Sequence, residues 1–152
     1  MRSASPLIGW KPSHLRLSGT FRYALYAALT LLFVTGAAWL VADQLKVGAL
    51  DDFWQFAAAT LLALHGGAAM VTLLLLGALF PLHVRPSWRS QRNRAMGLIM
   101  VAAGGVLIAT AYGLYYSGSE GPRLWMSWIH TCIGLALPIL VLLHVVTGRH
   151  SR

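Results

Sequence analysis

The sequence predicts an all-α membrane protein, an up-down-up-down bundle of four transmembrane helices with both termini cytoplasmic. Three observations carry this. Of 152 residues 57% are hydrophobic and only 11% are charged, against roughly 25% charged in an ordinary soluble domain. Four apolar stretches are each long enough to cross a hydrocarbon core, which takes ~20 helical residues. The basic residues gather on one side of those stretches. The mean hydropathy of +0.65 excludes intrinsic disorder, and the single cysteine, Cys132, excludes a disulfide-stapled secreted domain.

The stretches are 23–42, 53–84, 95–116 and 124–146, with expected helices at about 22–43, 53–84, 95–116 and 124–147. Backbone groups in lipid must pair within their own segment, and the ~10-residue alternation of a membrane barrel is absent. The second stretch has 32 residues, ~48 Å as a helix, so it should tilt or project into an interface. Links at 43–52, 85–94 and 117–123 are short and make neighbouring helices antiparallel within one domain, 22–148. A cytoplasmic segment, 1–21, precedes it and a tail, 149–152, follows. The first segment is polar, is broken by Pro6 and Pro12, and has no apolar signal region, so the first helix is expected to act as an uncleaved anchor. No internal repeat stands out.

The net charge of +8 is a topology signal before it is a nucleic-acid signal. Arg2, Lys11, Arg16, Arg22, Arg85, Arg89, Arg92, Arg94, Arg149 and Arg152 fall on one side, with no acid. Lys46 and Arg123 share the other side with Asp43, Asp51, Asp52 and Glu120. The positive side should face the cytoplasm. Trp39, Trp54, Tyr115, Tyr116, Trp125 and Trp128 would line the outer interface, with Trp10 and Trp88 on the inner one.

An ionisable residue inside a membrane helix is costly and marks a functional site by default. Four of the six histidines, His65, His83, His130 and His144, lie in the second and fourth stretches. Those helices run the same way, so depth is counted back from the inner arginine that ends each. His65 stands 20 residues before Arg85 and His130 stands 19 before Arg149. His83 and His144 stand 2 and 5 residues before the same arginines. The spacing predicts an outer pair and an inner pair. At ~100° per residue the 18-residue step from His65 to His83 returns to one face, and the 14-residue step from His130 to His144 misses by ~40°. Haem iron takes two axial imidazoles on opposite faces of a flat ring. Small residues would make room for it: Gly66 and Gly67 after His65, Gly104 and Gly105 in the third stretch, and Gly134 and Gly148 in two HxxxG spacings. Arg85, Arg89, Arg149 and Arg16 could pair with carboxylates of an inner haem. There is no CxxCH for covalent attachment, and separated pairs do not suit a four-ligand zinc site.

At these residues the chain resembles the small four-helix, two-haem cytochromes b of bacterial inner membranes, such as formate dehydrogenase gamma subunits and nickel hydrogenase cytochrome b subunits. The resemblance spans roughly 20–150. It rests on WIHTCIGLALPILVLLHVVTG at 128–148, on LLALHGG at 61–67 and on Thr35-Gly36. It implies a multi-pass inner-membrane electron-transfer subunit of an oxidoreductase. One or two bis-His b haems would pass electrons between a redox partner subunit and a quinone or other carrier. In those relatives the inner haem takes a histidine from the start of the first helix. Here that region reads TFRYALYAALTLL, so His83 replaces it, His14 does, or the inner haem is absent. Arg22, Tyr23, Ser87 and Asn93 are the polar candidates near a quinone, though the usual placement of Tyr and Arg favours interfacial anchors. The alternative is a cofactor-free membrane scaffold subunit in which histidines hydrogen-bond between helices. A proton or metal-ion carrier is disfavoured because no Asp or Glu lies in the spans.

Overall fold

The computed structural model describes residues 18–48, 52–89 and 93–150. These form α1 (Gly19–Leu45), α2 (Phe53–Leu79), a π-helical turn (Phe80–Val84), α3 (Arg85–Arg89), α4 (Arg94–Tyr116) and α5 (Glu120–His150). Four helices are long and apolar enough to cross a membrane: α1, α2 with its continuation, α4 and α5. The fold is therefore the expected all-α four-helix bundle of a multi-pass membrane protein.

The helices α1 and α5 run past both ends of their apolar stretches, because backbone pairing continues wherever water or a cap can satisfy the ends. Ser18 caps α1, its hydroxyl accepting from Phe21 N–H at 3.2 Å. Asn93 takes a left-handed conformation, φ 51°, and starts α4 immediately afterwards. The last helix begins at Glu120, four residues before its apolar stretch, and tolerates Pro122 in its first turn, where N–H groups lack helical partners anyway. It also carries Pro138 without a break.

Packing falls into two hairpins. The first helix packs along α2 and α4 packs along α5, while α1 only touches α5. The buried positions of α1 are Ala28, Thr35 and Ala42, seven residues apart, and those of α2 are Ala58, Ala68 and Thr72. Small side chains at a seven-residue period let two helix backbones approach in a left-handed pair, the usual way to pack in lipid. Large apolar side chains stay outside: Leu74, Phe56 and Met70 are all exposed. Ala42 is 2% exposed, so Ala42→Leu should cost ~1–3 kcal/mol by overpacking the α1–α2 seam. Thermal unfolding in detergent checks this, with the exposed Val41→Leu as the neutral control.

Candidate functional site: two opposed histidine pairs

The two hairpins meet through histidine rings. The His65 ring from α2 faces His130 from α5 with centroids 6.3 Å apart and planes at 81°. Further along the same helices His83 faces His144 at 6.2 Å and 82°. The chain order of the pairs makes α2 and α5 parallel. The pairing expected from depth is the pairing observed. The two helices do not pack against each other along their length. All four rings are half-buried.

At the outer level each ring is anchored from behind. His65 Nδ1–H donates to the Leu32 carbonyl at 2.9 Å and lies 3.3 Å from Thr35 Oγ1. Because a carbonyl only accepts, Nδ1 carries the proton and Nε2 keeps its lone pair. Thr110 Oγ1 lies 2.9 Å from His130 Nδ1. The hydroxyl proton of Thr110 is already given to the Val106 carbonyl at 2.7 Å, so its oxygen accepts from His130 Nδ1–H. Again Nε2 is left as the basic nitrogen. The inner level differs: His144 Nδ1 is buried with no hydrogen-bond partner among the described residues.

The inner ring of α2 sits in the π turn. Pro81 lacks an N–H and would clash with an α-helical carbonyl one turn back. The chain answers with a wider turn, closed by Arg85 N–H on the Phe80 carbonyl. Such turns cluster at functional sites. A wider turn advances fewer degrees per residue, so His83 does not keep the straight-helix face that an 18-residue step implies. The lag has the same sense as the ~40° lag of the 14-residue step in α5, and this keeps the inner rings opposed. Pro81→Ala, by restoring an α turn, should rotate His83 away from His144. The expected result is loss of the 6.2 Å ring contact at the inner level with the 6.3 Å outer contact intact, read from cross-peaks between labelled imidazoles in magnetic resonance.

The glycines divide into open positions and crowded ones. A side chain at Gly66 or Gly148 would meet nothing within 4 Å, and at Gly134 only Leu107 at 4.0 Å. Gly67, Gly104 and Gly105 are equally open. The close approach is at Gly36, where a Cβ would stand 2.9 Å from His65 Cε1 and 3.1 Å from Nδ1. In the second hairpin Gly113 receives the Met126 thioether. Arg85 and Arg149 are exposed at the inner end, beside His83 and His144. His14, Arg16 and the side chain of Arg89 lie outside the described residues. Asn93, on the link before α4, donates to Thr147 Oγ1 at 2.9 Å, which ties that link to α5 one turn beyond His144.

The donor set can be tested against a haem. Two imidazole nitrogens bonded to one metal at ~2 Å each, with each ring centre ~1 Å further back, put the centres ~6 Å apart. Both pairs have that spacing. Among the described residues no cluster of three or more His, Cys, Asp or Glu could hold a bare ion. A set of two imidazoles suits a metal whose remaining ligands come from a macrocycle. The residues fit the group.

The chain matches no protein-family description, and no curated protein or solved structure is detectably similar to it.

Proposed function

We propose that the chain is an electron-transfer subunit of a bacterial inner membrane, a b-type cytochrome holding one haem at each histidine level. The observation that carries this reading is the pair of opposed imidazoles, 6.3 and 6.2 Å between centroids, repeated on two parallel helices. A scaffold has no use for two matched levels. Haem iron bound there would alternate between ferric and ferrous states and so carry one electron at a time.

The chain's own part is to bind and to insulate. His65 and His130 supply the outer ligands and His83 and His144 the inner ones. The Leu32 carbonyl and the hydroxyls of Thr35 and Thr110 hold the outer rings in the Nδ1–H tautomer that leaves Nε2 to ligate. Arg85 and Arg149 offer charge-assisted hydrogen bonds to carboxylates at the inner end. Eighteen residues separate His65 from His83, so the two levels stand ~20–27 Å apart along α2 and span most of the bilayer core. Electrons would pass between a partner subunit on one side and a quinone or other carrier on the other.

A dithionite-reduced minus oxidised spectrum of the purified protein, with a pyridine haemochrome count, tests the proposal. Two b haems per chain are expected. None, in protein made with ample haem, overturns it in favour of the scaffold.

A further inference from the structure

The two hairpins repeat one device that the sequence does not announce. On α1, Thr35 Oγ1 donates to Leu31 O at 2.7 Å, with Leu32 O at 3.2 Å. On α4, Thr110 Oγ1 donates to Val106 O at 2.7 Å, with Leu107 O at 3.1 Å. Each hydroxyl then meets Nδ1 of the histidine on the next long helix, His65 or His130. For His65 the Leu32 carbonyl, three residues before Thr35, joins in at 2.9 Å. Both threonines are buried, at 4% and 7% exposure. The third buried threonine, Thr72, bonds only the Ala68 carbonyl of its own helix. A threonine that spends its proton on its own helix presents only oxygen lone pairs to a neighbour. Its position therefore dictates which histidine nitrogen keeps a proton.

We infer that Thr35 and Thr110 are positioning residues for the outer histidine pair: Thr110 alone, and Thr35 together with the Leu32 carbonyl, hold the rings in the ligating tautomer and set the reduction potential of the metal bound between them. This rests on the haem reading above. An acceptor behind Nδ1–H makes the imidazole a more basic ligand, which favours the more highly charged ferric state. Loss of the acceptor should raise the potential. The inner pair shows no such anchor on His144 Nδ1, so the effect is confined to one level.

The test is a redox titration of the full-length haem-loaded protein, followed at the α band, for Thr110→Val, Thr110→Ser, Thr35→Val and Thr72→Val. Thr110→Val should move one of the two midpoint potentials upward and leave the other in place, and Thr35→Val should move the same one by less, because the Leu32 carbonyl still accepts from His65 Nδ1–H. Thr110→Ser, which restores a hydroxyl, should stay with the parent, and Thr72→Val should move neither midpoint. If Thr110→Val fails to hold haem while Thr110→Ser holds it, the hydroxyl is still the determinant and the inference stands. Unchanged midpoints in both valine variants overturn it, as does a Thr110→Ser shift equal to that of valine. A parent without haem overturns the reading of the site, whereas a parent with two haems and silent valine variants overturns this inference alone.

Discussion

If the chain carries the two haems proposed, replacing His130 by alanine should lower the content from two per chain to one, with the remaining α band unperturbed. On the proposed haem reading His130 is one of two ligands at the outer level, and among the described residues no third His, Cys, Asp or Glu stands near enough to take its place. The ring opposite, His65, keeps its bonds to Leu32 and Thr35, so the helix pairing survives and the inner level remains. His65→Ala should give the same count by the same route. Haemochrome assay separates this from general unfolding, which would remove both. A count still at two would remove His130 from the ligand set.

Gly36→Ala should have the second largest effect, and it acts without touching a ligand. The added carbon would stand 2.9 Å from His65 Cε1, inside van der Waals contact. The ring cannot simply swing away, because Nδ1 is pinned by a 2.9 Å bond to the Leu32 carbonyl. Either the bond breaks or α1 moves off α2, and overpacking of this kind costs ~1–3 kcal/mol. The expected result is a lower thermal midpoint in detergent together with loss of the outer haem. Gly77→Ala provides the contrast, since a Cβ there meets nothing within 4 Å. In that helix interior alanine is favoured over glycine by ~1 kcal/mol, so stability should hold or rise.

The spans were legible because lipid leaves the backbone no alternative to helix, and the arginines at 85 and 149 marked a common depth from which the histidines could be counted. That count found both pairs. It could not find the π turn, since Pro81 signals a disturbance but not how the chain will absorb it. Thr35 was visible only through its neighbour Gly36, and Thr110 was not visible at all. A hydroxyl that serves a histidine on another helix leaves no mark in its own sequence, because its role exists only once two faces are pressed together. The same holds for the glycines. Gly66, Gly134 and Gly148 drew notice by lying beside histidines along the chain, while Gly36 is the one pressed against a histidine in space.

The division into hairpins also orders the life of the protein before it works. Each hairpin closes its own seam, α1 on α2 and α4 on α5, and so can enter the bilayer as a finished unit as it leaves the ribosome. The meeting of α2 with α5 belongs to a later stage, and it is made by ring against ring rather than by interlocked surfaces. A protein assembled in this way matures in two acts, insertion and then docking. A group that binds between the histidines would, by mass action on the docked form, decide how many inserted chains reach the second.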